Sequence, residues 1–187
     1  MIDKLKIFVK CLLWRLGLRR ALPGAVINAI SVIESGEKLE KHGEFLVRRT
    51  VSDMLVVAQK NLPNGVYIKI LSGYRSLDEQ WELWNDNPDS GLIANPANGG
   101  GGHQTGGAVD VTLADADGRE LYMASGYSEF NGKNQTEAVQ NPNRKMLNRA
   151  MTAAGFVNYP NEWWHYSYGD RMWAAYAGKR NAIYGPV

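Results

Sequence analysis

Two of the three histidines in this chain lie in local sequences that could hold a metal ion. His103 follows a run of four glycines and comes seven residues before Asp110, and His165 ends a Glu-Trp-Trp-His segment. A catalytic zinc ion typically takes three nitrogen or oxygen ligands from the protein and keeps a fourth position for water. Two imidazoles and one carboxylate meet that requirement, and we therefore predict that His103, Asp110 and His165 bind one catalytic zinc ion.

A further residue, Glu162, supplies the carboxylate that hydrolysis at such an ion requires. In metal-assisted hydrolysis of a peptide bond, a carboxylate takes a proton from the attacking water and returns one to the leaving amine. The metal lowers the pKa of its bound water to about 7 and polarises the carbonyl group. A single buried Asp or His is more often structural than catalytic. His-x6-Asp followed by Glu-x-x-His in one short chain, however, indicates a hydrolytic metal site.

Hydrophobic periodicity predicts the elements that must position these residues. Alternation indicates strands over 66–71 and 108–113, and in the second strand Asp110 shares a face with the small side chains at 108 and 112. Helical spacing predicts helices over 45–62 and 76–84, and a third that Asn141 caps and that begins at Pro142. Because helices come first and strands are interleaved later, we predict an α+β fold: one compact domain with a small, mainly antiparallel sheet flanked by helices.

The segment that ends at His165 needs a departure from regular strand geometry. In an ideal strand Glu162 and His165 would point to opposite faces, because successive side chains alternate. We therefore expect a bend near residues 160–161 or a single helical turn. Gly106 and Gly107 are expected to let the preceding loop turn back, so that the loop histidine and the strand aspartate converge.

Composition and charge narrow the class of protein. With 187 residues, 44% of them hydrophobic, the chain is long enough for one domain with a core. Residues 1–20 carry six basic residues and one acidic residue, so they hold a net charge of +5 and the rest of the chain holds −3. We therefore predict no nucleic-acid partner. Cys11 is the only cysteine, which excludes an intramolecular disulfide and a cysteine zinc site.

Apolar residues at helical spacing are interleaved with basic ones near the N-terminus. We predict a basic amphipathic helix within residues 1–24 and a domain that carries the metal site over 25–187. The apolar stretch is too short and too charged for a membrane span, and it is a poor signal peptide. Packing of this helix on its own domain is favoured over binding to an anionic membrane or service as a non-cleaved export signal. We predict a cytoplasmic location, with a periplasmic or membrane-associated one as the alternative.

The segment Gly101–Asp110 resembles the Ser-x-His-x-x-Gly-x-Ala-x-Asp motif of the zinc D-alanyl-D-alanine dipeptidases of peptidase family M15. The Glu-Trp-Trp-His segment is similar to the second half of the family signature, and Ser-Gly-Tyr-Arg at 72–75 is similar to its Gly-Tyr-Arg segment. Residues 143–173 resemble the family almost throughout, and the likeness extends over 34–187. The resemblance implies hydrolysis of D-Ala-D-Ala by zinc-activated water, with Glu162 as general base and acid.

The resemblance also implies which residues bind the substrate. Arg75 would donate to the substrate carbonyl oxygen as that oxygen gains negative charge, and Tyr74 and Trp164 would belong to the substrate site. Gly101 stands where the family motif has Ser. Glu129 is the natural counterpart of the acid that holds the substrate's free ammonium group, with the aspartates at 115 and 117 as alternatives.

The leading hypothesis is an enzyme whose partners are one zinc ion and a small D,D-dipeptide, most simply D-Ala-D-Ala. One alternative is a cell-wall D,D-carboxypeptidase or endopeptidase that uses the same zinc site on peptidoglycan stem peptides. A second alternative is a zinc-binding module without catalysis, which would have no use for Glu162 or Arg75. Hydrolysis of an N-blocked substrate and the effect of replacing Glu162 distinguish the three.

Overall fold

The centre of the fold is an antiparallel sheet, which a hairpin precedes along the chain. The computed structural model describes residues 27–28, 30–86, 93–98, 100–129, 132–137 and 139–187. In the hairpin β1 (Leu39–His42) pairs with β2 (Phe45–Arg48). The strands of the main sheet are β3 (Tyr67–Ser72), β4 (Ala108–Ala114), β5 (Val157–Asn158) and β6 (His165–Ser167), in the order β3-β4-β6-β5. These strand pairs are all antiparallel, which confirms the predicted fold class.

Four α-helices complete the described part of the chain. They are α1 (Arg49–Lys60), α2 (Leu77–Asp86), α3 (Pro142–Ala153) and α4 (Arg171–Tyr176), with short 3-10 helices at Pro96–Asn98 and His103–Thr105. Ser76 and Glu79 form a capping box at the start of α2, since each accepts a hydrogen bond from the other's backbone amide. Asn141 caps α3 and Asp170 caps α4 by accepting from amides of the first turn.

One face of the sheet packs against α1 and α3 and forms the main core. Val109, Val111 and Leu113 of β4 share this face, because alternate residues of a strand point the same way, and all three are fully buried. Leu55 of α1 and Leu147 of α3 belong to the same buried cluster. The opposite face of β4, which carries the aspartate of the predicted metal site, is buried as well. Packing on one face thus fixes the strand that presents functional residues on the other.

Helix α1 begins four residues later than the hydrophobic spacing predicts. We expected one helix over 45–62, but residues 45–48 form β2 and the helix covers only 49–60. Contacts that are distant in sequence decide this difference. The Leu46 carbonyl accepts from the Tyr74 amide at 2.7 Å, and the Arg48 amide donates to the Gly106 carbonyl at 2.9 Å. These hydrogen bonds require an extended backbone, so tertiary contacts override the helical periodicity.

The predicted N-terminal helix over 1–24 lies outside the described residues. At the start of the described chain, Ile30 is buried in a small cluster with Ala174 and Ala175 of α4, and Val32 forms a parallel bridge with Ala182. No helix in the part of the chain that the structure describes is long and apolar enough to cross a membrane.

Candidate active site

Strand pairing brings Asp110 and His165 together. Asp110 lies directly opposite His165 in the antiparallel pair of β4 and β6, and side chains at opposed positions project from one face with their Cβ atoms about 5 Å apart. Asp110 Oδ1 lies 3.0 Å from His165 Nδ1. On its other side β4 pairs with β3, where Ser72 lies opposite Asp110. The segment that leads from Ser72 to Arg75 therefore starts beside the same carboxylate.

His103 reaches this pair from a loop. It begins the 3-10 helix His103–Thr105, which ends at Gly106 with a φ of +69°, a left-handed conformation that favours glycine. His103 Nε2 lies 3.3 Å from Asp110 Oδ1, and the rings of His103 and His165 have their centroids 5.0 Å apart. The glycine turn thus brings the loop histidine onto the strand aspartate, as the sequence predicts.

The hydrogen-bond partner of His103 determines which ring nitrogen faces the cluster. His103 Nδ1 lies 2.7 Å from the carbonyl oxygen of Gly73, which can only accept, so Nδ1 carries the proton and Nε2 presents its lone pair. Gly73 permits this approach, because a Cβ there would lie 2.8 Å from the Leu46 carbonyl oxygen. In His165 the other ring nitrogen, Nε2, lies 3.2 Å from the Ser167 hydroxyl and Nδ1 faces Asp110.

The three side chains fit a divalent cation. One ligand atom from each of His103, Asp110 and His165 lies within 4.8 Å of the others, and all three residues are buried. Burial raises the pKa of Asp110, but the charges and hydrogen bonds of the two histidines outweigh it and hold that pKa well below its usual range. Burial lowers the pKa of His165, but Asp110 and then Glu162 raise it to about 9. The cluster therefore attracts positive charge, and its donor atoms are those that catalytic zinc takes.

Two consecutive turns place Glu162 beside the cluster. The Glu162 amide donates to the Tyr159 carbonyl at 3.0 Å, and the His165 amide donates to the Glu162 carbonyl at 3.2 Å. This geometry provides the expected departure from a regular strand, and Glu162 Oε2 lies 3.8 Å from His165 Nδ1. Burial raises the pKa of Glu162 above its usual range, although the charge of His165 and a hydrogen bond with the Trp164 side chain partly oppose the rise. A carboxylate in such surroundings is suited to proton transfer near neutral pH.

Neutral side chains hold the guanidinium group of Arg75. It donates to Gln80 Oε1 at 3.1 Å and to Ser72 Oγ at 3.3 Å. The backbone amide of Arg75 donates to the His103 carbonyl at 3.2 Å, which ties this segment to the loop of the metal cluster. Arg75 therefore lines the same cleft as the three predicted ligands, with its guanidinium group held by neutral partners.

An open cleft of about 640 Å³ leads to the cluster. Its lining includes the three predicted ligands, Glu162, Arg75, Gly101 and Trp164. Trp164 is buried and packs edge-on against Tyr127, with ring centroids 5.6 Å apart. At Gly101 a Cβ would lie 3.1 Å from the Cβ of Ala94, so the loop is tightly packed where the family motif has Ser.

Two predicted substrate-binding residues do not line this cleft among the described residues. The Tyr74 hydroxyl donates to the Val187 carbonyl at 3.3 Å. The side chain of Glu129 is exposed and accepts from the Gly126 amide at 2.9 Å. The alternative aspartates at 115 and 117 lie in an exposed turn, where both approach Arg119. The roles of Tyr74 and Glu129 in substrate binding therefore stay predictions without a contact in the cleft.

Tyr127 contacts the cluster although no sequence pattern indicated it. Its hydroxyl donates at 3.0 Å to Asp110 Oδ2, while the histidines approach Oδ1. Tyr127 lies between Ala124 and Ser128, two non-glycine residues with φ of +67° and +56°. Such backbone conformations cost on the order of 1–3 kcal/mol and cluster at functional sites. A tyrosine in a loop has no characteristic spacing, so only the tertiary contact identifies it.

Replacing Tyr127 by Phe should weaken zinc binding by about 10- to 100-fold, the range found when an outer hydrogen bond to a metal ligand is lost. The physical reason is that Asp110 Oδ2 loses its donor and the carboxylate can rotate. Competition with a chelating dye measures the dissociation constant. Tyr122→Phe is the matched control, since Tyr122 is 77% exposed. Equal zinc affinities in the two variants would contradict this role.

Fold and site together define a class of protein. A buried cluster of two histidines and one carboxylate, with an adjacent glutamate in a cleft, is the arrangement of metal-dependent hydrolases. The family described as D-ala-D-ala dipeptidase, peptidase family M15, matches residues 32–180, and the chain belongs to this family. The resemblance predicted from the sequence motifs is thereby confirmed.

Two curated relatives carry the name D-alanyl-D-alanine dipeptidase. The protein of Synechocystis sp. is 32% identical over 136 residues, which cover 61% of this chain and 51% of the relative. The protein of Escherichia coli K12 is 33% identical over 108 residues, which cover 55% of this chain and 55% of the relative. The chain thus spans about half the length of the curated relatives it matches. A solved mutant of the vancomycin-resistance D,D-pentapeptidase VanY, in complex with Zn(II), is 18% identical, with a TM-score of 0.45 over 82% of this chain and 96% of that chain.

Proposed function

We propose that this protein is a zinc-dependent dipeptidase that hydrolyses D-Ala-D-Ala, or a closely related D,D-dipeptide, to free amino acids. The observation that carries the proposal is the convergence of ligand atoms from His103, Asp110 and His165 within 4.8 Å, with Glu162 Oε2 3.8 Å from His165 Nδ1. Membership of the family and two relatives named D-alanyl-D-alanine dipeptidase support this substrate.

His103, Asp110 and His165 would hold the zinc ion. When bound, zinc lowers the pKa of water and polarises the carbonyl group of the substrate. The contribution of the chain is to keep the three donors fixed and in the correct protonation state. The Gly73 carbonyl does so for His103, and the Tyr127 hydroxyl does so for Asp110.

Glu162 would move the protons of the reaction. Its carboxylate accepts a proton from the attacking water, so that the water oxygen becomes a stronger nucleophile toward the peptide carbonyl carbon. It then donates that proton to the nitrogen of the leaving amino acid and returns to the ionised form. The burial that raises the pKa of Glu162 favours the first transfer, because the group binds a proton more readily than an exposed carboxylate does. The second transfer is driven by the leaving amine, which is a far stronger base than a carboxylate.

Arg75 would stabilise the negative charge that develops on the carbonyl oxygen. Arg75→Gln should lower kcat by about 10²- to 10³-fold, as does removal of one donor to a developing oxyanion, with a smaller effect on KM. Steady-state kinetics on D-Ala-D-Ala measures the change. Arg119→Gln is the matched control, because the Arg119 side chain is 75% exposed and interacts with aspartates of its own turn. A variant at position 75 that raises only KM would argue against stabilisation of the oxyanion.

A free amine on the substrate distinguishes the dipeptidase from the second candidate function. We expect zinc-loaded protein to cleave D-Ala-D-Ala faster than its N-acetylated analogue, because Glu129 would turn from Gly126 toward the cleft and pair with the ammonium group.

The second candidate function is that of a D,D-carboxypeptidase that acts on peptidoglycan stem peptides. Glu129 is exposed and lies outside the described cleft lining, so it does not pair with a free amine in its present position, which favours the carboxypeptidase. Faster cleavage of the blocked substrate would overturn the dipeptidase in favour of this candidate.

The proposal includes a cytoplasmic location and a peptidase domain over residues 25–187, with residues 1–24 forming a helix that packs on that domain. The single cysteine of the chain cannot form an intramolecular disulfide, which is compatible with a reducing compartment. Cell fractionation followed by immunodetection tests the proposed cytoplasmic location. If the full chain is recovered with membranes and the chain without residues 1–24 is not, the protein is bound to membranes through this segment. That result would contradict the cytoplasmic location and the packing of residues 1–24 on the peptidase domain.

A further inference from the structure

A buried aspartate that the proposed mechanism does not use lies near the metal cluster, in the lining of the same cleft. Asp170 is 1% exposed, and its Oδ1 accepts from the Trp173 amide at 2.7 Å as the cap of α4. Its second oxygen, Oδ2, is buried and makes no hydrogen bond among the described residues. A buried acceptor without a donor costs on the order of 1–3 kcal/mol. Capping explains one oxygen of this carboxylate and leaves the other unexplained.

Asp170 lies close to both histidine-bearing segments. A Cβ on Gly102, the residue before His103, would lie 2.2 Å from Asp170 Oδ2, so glycine at 102 lets the loop approach the carboxylate. Burial raises the pKa of Asp170, whereas the Trp173 amide and the charges of the two histidines oppose that rise. The carboxylate is thus within electrostatic reach of both predicted histidine ligands.

Ser167 connects Asp170 to His165. Residues two apart on a strand share a face, and the Ser167 hydroxyl oxygen lies 3.2 Å from His165 Nε2. If His165 Nδ1 binds the metal, Nε2 carries the proton and donates to Ser167, whose own proton then needs an acceptor. The acceptor in the present structure is the Met172 sulfur at 3.8 Å, which is a weak one. The carboxylate of Asp170 is a much stronger acceptor.

We propose that Asp170 is a positioning residue that acts on His165 through Ser167. In the zinc-loaded protein, His165 Nε2 donates to Ser167 Oγ and the Ser167 hydroxyl donates to the Asp170 carboxylate. This chain of hydrogen bonds holds the imidazole in the tautomer that presents Nδ1, and it places a buried negative charge beside a dication. The inference rests on the zinc site of the proposed function, and it adds a carboxylate that neither binds the metal nor touches the reacting atoms.

Asp170→Asn tests the proposal, because Asn caps a helix as well as Asp does but carries no charge. We expect zinc affinity to fall by about 10- to 100-fold, with the melting temperature of the metal-free protein unchanged. Ser167→Ala should cause a similar loss, and the double variant should lose little more than either single one, since both break one chain. Asp53→Asn, at an exposed position of α1, is the matched control and should keep wild-type affinity.

Three results would overturn the proposal. One is wild-type zinc affinity in Asp170→Asn, measured by dye competition without substrate. Another is additive losses in the double variant, which would mean that Ser167 and Asp170 act separately. The third is unchanged zinc affinity and kcat with a raised KM, which would mean that Asp170 contacts the substrate. Wild-type protein that binds zinc but does not cleave D-Ala-D-Ala would contradict the proposed function alone, because the affinity measurements need no turnover.

Discussion

Glu162→Gln should lower kcat for D-Ala-D-Ala by about 10³-fold or more while zinc remains bound at the wild-type stoichiometry. Gln has nearly the shape of Glu and keeps an acceptor oxygen for the Trp164 side chain, but its amide cannot take up a proton from water. General acid–base catalysis contributes typically 10²- to 10⁴-fold, and Glu162 would serve both transfers. The carboxylate lies beside the predicted ligands, 3.8 Å from His165 Nδ1, without being one of them. Loss of turnover and retention of metal are therefore expected together.

Steady-state kinetics and metal analysis on the same preparation measure both expectations. The matched control is Glu120→Gln, since Glu120 forms a half-exposed surface pair with Lys69 and such pairs contribute about 1 kcal/mol or less. The control should keep wild-type kcat and zinc content. Turnover by Glu162→Gln within tenfold of wild type would refute its role in proton transfer and would revive the interpretation of the site as a zinc-binding module.

His103→Asn should abolish stoichiometric zinc binding and with it all hydrolysis. The Asn side-chain amide can still donate to the Gly73 carbonyl, as His103 Nδ1 does at 2.7 Å, but it has no atom at the position of Nε2. The expected loss of affinity exceeds about 100-fold, the upper range for loss of an outer hydrogen-bond partner alone, because a ligand itself is removed. Zinc content after dialysis and the dissociation constant by dye competition measure it.

The third histidine of the chain provides the matched control. His42 lies on β1, outside the described lining of the cleft, and its Nδ1 is 2.8 Å from the Ser52 hydroxyl. His42→Asn should keep one zinc per chain and wild-type kcat. Circular dichroism of both variants checks folding, and His165→Ala serves as a second test if His103→Asn does not fold. Stoichiometric zinc in folded His103→Asn would show that the metal is held elsewhere.

Local sequence determined the elements and the identity of the three clustered residues. Alternation over 108–113 is a property of neighbouring residues, and it correctly predicts that Asp110 lies on the face opposite the valines of the core. Capping at Asn141 depends on residues a few positions away, and α3 begins as predicted. The glycine turn at 106 is also local, since it reflects the backbone conformation of one residue. Motif spacing placed His103, Asp110 and His165 in one site, where the structure brings them together.

Only the tertiary structure decided the contacts that cross from one segment to another. Hydrophobic spacing at 45–48 fits a helix, but hydrogen bonds to residues 74 and 106 make that segment a strand. The likeness to the family indicated Glu129 for the substrate, which stays a prediction, and the fold places its side chain on the Gly126 amide. The contact of Tyr127 with Asp110 was not indicated by the sequence at all. Asp170 and Ser167 have no motif, because their relation to His165 exists only once β6 and α4 have packed. The spacing of residue types along a chain predicts local secondary structure, because helices and strands are periodic. Contacts between distant segments depend on how the whole domain packs.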